Sequence, residues 1–400
     1  MATKSACSLV AAALLCSCGM FAAAEAPNNN TPAPPQNGGA PNAPGFVASN
    51  PVYPFLWCVA GNKQANVTFS GLPIDRNRAV MFYEQHFGEY PRIWANRDGT
   101  HVSPEHGSIP QRTNYTTHLA KVRRDIAAGI PDPNWDGYAI LDFEGWEPVW
   151  DLLRNERMKE ESRRHVRARF PVMSPAEVER RAKLEFETAA FDFLQRTLEE
   201  CKRTRPRAKW GFYGYPYAHQ TQYQSRYQQL FDTVDAFYPP VYSVHYSVPD
   251  NARVGRSQRT ATQYAREIDS KIAFARSVAG SRPIVPLIWM RYHDINIDYG
   301  GQWLNDLDLY TILKQPRISG AAASLFWEYI PDDRLALDYS AFFSSRGGQI
   351  MKRVVAEMNP APVGGAQSQP RAASLSTSPA TATPKGRITT TASPARSAPK

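Results

Sequence analysis

The sequence predicts an α/β fold in which strands and helices alternate and close into a TIM-like (β/α) barrel. Short apolar runs alternate with helical patterns along the chain, which is the order expected of a mostly parallel sheet. About seven such runs lie in one folded part, as they do in a barrel. The runs are bounded by Gly, Pro or polar residues and cover 55–60, 79–83, 138–143, 209–213, 236–242, 284–289 and 322–327.

The clearest helical pattern begins at a capping box and is long. Ser174 precedes Pro175 and is followed three residues later by Glu177, which is typical of a helix start. Apolar residues then recur at helical spacing up to about Arg203, so this face should pack on the sheet. The face carries Val178, Ala182, Phe186, Ala189, Phe193, Thr197 and Cys201.

The folded catalytic part is predicted to span 51–357. Residues 27–50 are rich in Asn, Pro, Ala and Gly, and residues 358–400 are rich in Pro, Ala, Ser and Thr. Neither stretch contains enough apolar residues to bury a core, so both are predicted to be disordered, the first as a linker and the second as a basic tail.

The first 26 residues have the pattern of an export signal. Lys4 precedes an apolar stretch, and small residues end at Ala24 or Ala26. We therefore expect a secreted or extracytoplasmic protein, located in the periplasm or outside the cell. Cys16 and Cys18 form only a faint lipoprotein pattern, so a lipid anchor is not expected. No later run reaches the roughly 18 apolar residues of a membrane span.

The net charge limits which polymers the chain could bind, and the cysteine content limits its disulfides. The net charge is +9, and more than half of it comes from the basic residues of the predicted tail. The mild excess left on the folded part is compatible with an acidic polymer and with a neutral one. Three of the five cysteines lie in the export signal, leaving Cys58 and Cys201, which could pair but form no disulfide framework.

Two carboxylates, Asp142 and Glu144, stand at the end of the run 138–143, just before a Gly-Trp break. Side chains two residues apart on a strand share a face, so both acids should point one way while Leu141 and Phe143 point the other. Two acids held this close repel, which raises the proton affinity of one and prepares it to act as a general acid. The alternative is a solvated acidic strand end.

Chemistry in a (β/α) barrel sits at the carboxyl ends of the strands. Asp142, Glu144, Tyr213, Tyr242 and Trp327 all fall at such ends. Acids beside aromatic rings suit a carbohydrate, because the rings stack on sugar faces and the polar groups bind hydroxyls. Both acids lie on one strand, so they approach the scissile bond from the same side. This arrangement favours substrate assistance, in which the sugar's own acetamido oxygen attacks.

An ordered set of motifs extends over about residues 53–340. In chain order they are Phe82-Tyr83 with Tyr90-Pro91, His118-Leu-Ala-Lys121, Asp125-Ile126, Ile130-Pro131, Asp142-Phe-Glu-Gly-Trp146 with Pro148 and Trp150, Arg205-Pro206, Trp210-Gly-Phe-Tyr-Gly-Tyr-Pro-Tyr217, Tyr238-Pro-Pro-Val-Tyr242, Val285-Pro-Leu-Ile-Trp289 and Phe326-Trp327. As a set, and not singly, these motifs resemble a known family, the animal and venom hyaluronidases of glycoside hydrolase family 56.

The resemblance implies a distorted barrel of seven to eight strands and a role for each matching residue. Glu144 would be the general acid and then base, and Asp142 would orient the acetamido group. Tyr213 and Tyr242 would bind that group, and Trp327 would close the pocket floor. The family cleaves hyaluronan, and often chondroitin, at β-1,4 bonds after N-acetylhexosamine with retention. It implies a polysaccharide partner, no nucleic acid, no metal or cofactor, and a monomer.

Further substrate contacts are predicted at Trp146, Tyr217 and Trp289, which lie within matching motifs. The chain also departs from the family. Glu147 stands where the family typically has an arginine, which would disfavour a uronic acid. Lys271 aligns best with a second family arginine, with Arg253, Arg256 and Arg266 as alternatives. The family's disulfides cannot be carried over, because Ala218 replaces one of their cysteines.

Three other functions remain open from the sequence. Glu147 would also suit the same mechanism acting on a different, neutral N-acetylated polysaccharide. A glycan-binding protein without turnover would keep the cleft. A nucleic-acid or cell-surface adhesin would act through the basic tail. Four histidines in one third of the chain lack the spacing of a metal site and are expected to be surface or hydrogen-bonded residues. The basic run 154–169 is interleaved with acids and is expected to be a solvated helix.

Overall fold

A computed structural model describes residues 52–95, 102–216 and 222–359 of the chain. The predicted export signal and linker lie outside the described residues, as do Tyr217 and nearly all of the predicted tail. Within the described part, the strands are β1 (Phe55–Trp57), β2 (Ile74–Asp75), β3 (Ala79–Tyr83), β4 (Arg92–Ala95), β5 (Val102–Glu105), β6 (Tyr138–Asp142), β7 (Lys209–Phe212), β8 (Tyr246–Val248), β9 (Gln258–Thr260), β10 (Leu287–Ile288) and β11 (Ser324–Phe326).

The strands form most of a parallel barrel. One parallel sheet has the order β10, β11, β1, β2, and a second has the order β3, β6, β7. Parallel bridges from Tyr213 to Tyr238 and from Phe237 to Ile284 link β7 to β10 through the segment 236–242. Each of the seven predicted runs supplies one member of this ring, and the predicted distorted TIM-like barrel is confirmed.

Helices follow most of the barrel strands. They are α1 (Tyr115–Gly129), α2 (Glu156–Arg169), α3 (Pro175–Thr204), α4 (Gln224–Thr233), α5 (Ala261–Ala279), α6 (Asp306–Ile318), α7 (Asp333–Ser344) and α8 (Arg346–Met358). The predicted capping box is present: the Ser174 side chain accepts a hydrogen bond from the Glu177 amide, and the Glu177 side chain accepts one from the Ser174 amide. This reciprocal pairing satisfies backbone N–H groups that the first turn leaves unpaired, and it explains why α3 begins at Pro175.

Alternation along β6 decides which side chains face the inside of the barrel. Ile140 belongs to the inner apolar cluster with Cys58, Tyr242 and Trp289. Ala139, Leu141 and Phe143 belong to the outer cluster that the helices cover. Because side chains on a strand alternate, Asp142 continues the inner face of Ile140. Asp142 therefore lies in the barrel interior, at the carboxyl end of β6.

The run of basic residues on α2 is neutralised by ion pairs. Arg163 contacts Glu160 and Glu179, and Arg167 also contacts Glu160. Arg164 contacts Glu161 at 2.7 Å. These contacts agree with the expectation of a solvated helix. Among the described residues, no helix is both long and apolar enough to cross a membrane.

Cys58 and Cys201 are buried and unpaired in the structure. Cys58 lies in the inner apolar cluster and Cys201 in the outer one. Burial raises the pKa of each thiol, so both are held in the protonated form. Within the described ranges, His, Cys, Asp and Glu side chains form no group of three or more that could hold a metal ion.

His118 on α1 is a buried structural histidine. Its Nδ1 accepts a hydrogen bond from the Glu89 amide at 2.9 Å, and its Nε2 lies 2.9 Å from Thr197 Oγ1. The Thr197 hydroxyl donates to the Phe193 carbonyl, so Nε2–H must be the donor to Thr197 and the ring is neutral. A second proton would fall on Nδ1 and break the bond from Glu89. Burial accordingly lowers the pKa of His118 to about 4.

This histidine should make the fold less stable in acid. Between pH 6.5, the ordinary pKa, and about 4, the unfolded chain binds a proton at His118 that the folded chain does not, so stability falls as the pH falls. The loss amounts to about 2 kcal/mol between pH 7 and pH 5. Urea unfolding of His118→Asn should show a pH dependence flatter by this amount. The exposed His86→Asn is the control, and an unchanged pH dependence in His118→Asn would contradict the assignment.

Candidate active site

Asp142 and Glu144 end β6 and begin the following loop. Asp142 is buried, with 6% of its surface exposed, and Glu144 is half-buried. Burial, the nearby charges of Glu144 and Glu84, and a hydrogen bond with the Glu144 side chain all raise the pKa of Asp142 well above its ordinary value. Because two neighbouring carboxylates repel, ionisation of one opposes ionisation of the other, and the pair is suited to hold one proton between them.

Four aromatic side chains form a wall beside this pair. The Tyr242 ring lies 6.5 Å from Tyr213, 5.9 Å from Trp289 and 5.8 Å from Trp327, measured between ring centroids. Trp289 and Trp327 meet edge to face at 5.2 Å. Tyr213 and Trp327 are half-buried, and both rings pack against the inner apolar cluster. The structure thus brings together the predicted residues Asp142, Glu144, Tyr213, Tyr242, Trp289 and Trp327.

Three buried polar atoms converge at this wall without a well-formed hydrogen bond. They are Asp142 Oδ1, Tyr83 Oη and Tyr242 Oη, and none has a partner of normal geometry among the described residues. Tyr83 lies opposite Asp142 in the register of β3 and β6. Burial raises the pKa of both tyrosines, and the Asp142 charge raises it further. Buried polar groups are almost always paired in folded proteins. Three unsatisfied groups at one place indicate a ligand site that offers both a donor and an acceptor.

Glu84 is a site residue that the sequence reasoning missed. Its Oε2 accepts hydrogen bonds from the amides of Glu144 at 2.8 Å and Gly145 at 2.7 Å. Its Oε1 accepts from Arg92 at 3.1 Å. Glu84 directly follows β3, so the signal that could have found it was present: it is another carboxylate at the carboxyl end of a barrel strand.

Glu328 lies under the aromatic wall and was also missed. Its carboxylate is 6% exposed and accepts hydrogen bonds from Trp289 Nε1 at 2.8 Å, from Tyr339 Oη and from the Tyr329 amide. The Arg291 guanidinium is 3.4 Å away. These contacts hold the Trp289 ring in place. Glu328 follows the predicted Trp327 directly, so its position after β11 was the available signal.

Trp146 lies outside the cluster, although it was predicted to contact substrate. Its ring is buried, stacks on Tyr90 at 5.0 Å, and packs edge to face against Phe186 and Phe193. Its indole N–H donates to the Pro91 carbonyl at 2.7 Å. Every face of this side chain is in contact with the protein core. Its placement supports packing and not substrate binding, because a ring that stacks on a sugar needs one open face.

Lys271 and Glu147, two positions at which the chain departs from the family, carry opposite charges and contact different segments. The Lys271 amine is exposed and donates to the Pro240 carbonyl at 3.0 Å. Burial lowers the pKa of His293, and the Lys271 charge lowers it further; the His293 ring lies 6.2 Å from that of Tyr242. The Glu147 carboxylate accepts a hydrogen bond from Tyr227 on α4 at 2.8 Å. Tyr217, the remaining predicted residue, lies outside the described residues.

The chain is similar in sequence to known hyaluronidases. The family model described as hyaluronidase, glycoside hydrolase family 56, matches residues 67–232. A hyaluronidase of the honeybee, Apis mellifera, is 27% identical over 294 residues, which are 68% of this chain and 73% of that protein. A chondroitin hydrolase of Caenorhabditis elegans is 36% identical over 139 residues, 34% of this chain and 30% of that protein.

The crystal structure of bee venom hyaluronidase in complex with a hyaluronic acid tetramer has the same fold. It superposes with a TM-score of 0.61 and 22% sequence identity, covering 76% of this chain and 99% of that chain. The fold of that protein is therefore shared by this chain over nearly the whole length of that protein.

Proposed function

The chain belongs to the hyaluronidase family, glycoside hydrolase family 56, and on this premise we propose that it cleaves β-1,4 bonds after N-acetylhexosamine in glycosaminoglycans such as hyaluronan or chondroitin. The enzyme acts with retention and with assistance from the substrate's acetamido group. Glu144 is the acid and base, and no metal or cofactor takes part. The predicted export signal makes it a secreted or extracytoplasmic enzyme.

The observation that carries this proposal is the convergence of Asp142 Oδ1, Tyr83 Oη and Tyr242 Oη. An acetamido group has one N–H donor and one carbonyl acceptor, so it matches a carboxylate beside two hydroxyls. Asp142 accepts the N–H and turns the carbonyl oxygen toward the anomeric carbon. The Tyr242 hydroxyl, with Tyr213 beside it, donates to the group and stabilises the charge that develops on it.

One proton shared by the acid pair serves both halves of this reaction. When the acetamido N–H occupies Asp142, the proton resides on Glu144, which donates it to the departing glycosidic oxygen as the acetamido oxygen attacks. This step breaks the glycosidic bond and leaves a cyclic oxazolinium ion. Glu144 then removes a proton from water, which opens the ring at the anomeric carbon and restores the original configuration.

Glu147 is the residue that favours a second class of substrate. An anion near the cleft disfavours a uronic acid, so a neutral N-acetylated polysaccharide remains the alternative. Tyr227 on α4 donates a hydrogen bond to the Glu147 carboxylate. Burial raises the pKa of Tyr215, and the Glu147 charge raises it further. The Lys271 charge beside His293 acts on the other side, near Tyr242. This separation of charges supports a cleft in which a uronate can bind next to Lys271.

A substrate panel tests the proposal directly. We expect the wild-type protein to release reducing ends from hyaluronan or chondroitin faster than from a neutral chitin oligosaccharide, because Lys271 attracts a uronate. Proton NMR of the first product should show the β-anomer, as retention requires. Cleavage of the neutral glycan alone would favour the alternative substrate. Tight binding of a glycan without any product would instead indicate a binding protein that has lost turnover.

A further inference from the structure

The loop that carries Glu144 rests on a buried carboxylate from another strand. Glu84 follows β3, and its side chain is 9% exposed. One of its oxygens accepts the amide hydrogens of both Glu144 and Gly145. In addition, the Glu84 amide donates to the Asp142 carbonyl at 3.1 Å. Glu84 therefore holds the backbone on both sides of the acid pair, 60 residues away from it in the chain.

Gly145 shows how closely the two segments approach. A Cβ atom at Gly145 would lie 3.0 Å from Glu84 Oε1 and 2.9 Å from Tyr90 Cε1. Both distances are shorter than ordinary van der Waals contact, so a side chain here would push the loop off Glu84. Glycine at this position is thus explained by the contact with Glu84 and Tyr90.

Glu84 is itself held in place by an arginine. Arg92 Nη1 lies 3.1 Å from Glu84 Oε1, and Arg92 Nε lies 2.7 Å from Glu105 Oε2. Arg92 begins β4 and Glu105 ends β5, which are paired antiparallel strands. Side-chain contacts thus connect this pair of strands, through Arg92 and then Glu84, to the Glu144 amide. A buried carboxylate with three donors has little freedom to move, which makes it a rigid support.

Glu84 also contributes negative charge to the acid pair. Its charge adds to that of Glu144 in raising the pKa of Asp142. Removing this charge should let the pair lose its shared proton at a lower pH. The other titratable groups that face Asp142 stay in place, and they are Cys58 after β1, Tyr83 on β3, Glu144 in the same loop and Tyr242 in the segment 236–242.

We propose that Glu84 is a positioning residue for catalysis, which fixes the backbone of Glu144 and Gly145 and places a negative charge behind Asp142. It contacts the loop and not the substrate. The effect of Glu84 on catalysis rests on the proposed function. Its contacts with the Glu144 loop are a property of the fold and do not depend on that function.

Two substitutions separate the mechanical effect from the electrostatic one. Glu84→Ala removes the acceptor, so kcat should fall about 30- to 100-fold, because small misplacements of a catalytic group have effects of this size. KM should change less than about threefold, since the substrate-binding side chains are untouched. Glu84→Gln keeps a carbonyl oxygen for the two amides, so it should recover most of kcat. In the Glu84→Gln variant, the pH at which kcat falls on the alkaline side should be lower than in the wild type by about half a unit or more.

Glu156→Gln is the matched control. It makes the same chemical change at an exposed residue of α2 that pairs with Lys159, away from Glu84 and Arg92, so its kcat and pH profile should match the wild type. Thermal unfolding of every variant shows whether the fold is kept. A Glu84→Ala variant that unfolds at the wild-type temperature and keeps full kcat would overturn the proposal, as would a Glu84→Gln profile that does not move.

Hydrogen exchange distinguishes failure of this inference from failure of the proposed function. In Glu84→Ala, the amides of Glu144 and Gly145 should exchange at least about tenfold faster than in the wild type, because each loses its acceptor. This measurement needs no substrate. If the wild-type protein cleaves no glycan, the proposed function fails while exchange still tests the positioning. Unchanged exchange at these two amides overturns the positioning whatever the activity.

Discussion

Glu144→Gln should reduce kcat/KM on the cleaved glycosaminoglycan by about a thousandfold, since proton transfer by a positioned group contributes on the order of 10²–10⁴. A glutamine has nearly the shape of the glutamate and can still accept the Asp142 hydrogen bond, but it has no proton to give to the departing oxygen. Because the same residue acts first as acid and then as base, both steps are slowed. The loss should appear in kcat, with KM nearly unchanged.

Reducing-end release from hyaluronan and chondroitin measures this effect. Glu156→Gln is a matched control, because it makes the same chemical change at an exposed residue near the start of α2. It should retain wild-type activity. Equal activity in Glu144→Gln and Glu156→Gln would remove Glu144 from the mechanism. Normal substrate binding by the inactive Glu144→Gln variant would show that its cleft is intact.

Glu328→Ala should lower the free energy of unfolding by about 3–5 kcal/mol, the usual result of removing one partner of a buried ion pair. The carboxylate accepts bonds from Trp289, Tyr339 and the Tyr329 amide, and it lies beside Arg291. Alanine leaves the three hydrogen-bond donors without this acceptor and the Arg291 guanidinium without this charge partner. Burial already raises the pKa of Glu328, so these bonds are what make a carboxylate tolerable there.

Glu328→Gln separates the charge from the hydrogen bonds. It keeps one acceptor oxygen, so the loss should be about 1–2 kcal/mol. Asp333→Ala removes an exposed partner of Lys63 and Asn66 and should lower the stability least of the three variants, because water screens an exposed ion pair. Urea unfolding of the three variants gives the comparison. A Glu328→Ala loss as small as that of Asp333→Ala would show that the buried acceptor contributes little to stability.

The sequence predicted those site residues whose positions follow from the spacing of side chains along a single strand. The alternation of Leu141, Asp142 and Phe143 assigns the acid to the inner face without any tertiary information. Tyr213, Tyr242 and Trp327 each end an apolar run, and parallel strands of one barrel bring such ends together. The same reasoning did not separate Trp146 from these residues. Only its stacking on Tyr90 and its bond to the Pro91 carbonyl show that it belongs to the core.

By itself, the sequence determined the barrel, the order of its strands along the chain, the start of α3 and the placement of the two acids at one strand end. These features follow from side-chain periodicity and capping, which act over a few residues. Tertiary structure alone decided that Glu84 supports the Glu144 loop, that Glu328 anchors Trp289, and that Tyr83 joins the unpaired groups around Asp142. Those contacts join segments far apart in the chain, and the folded backbone sets their distances.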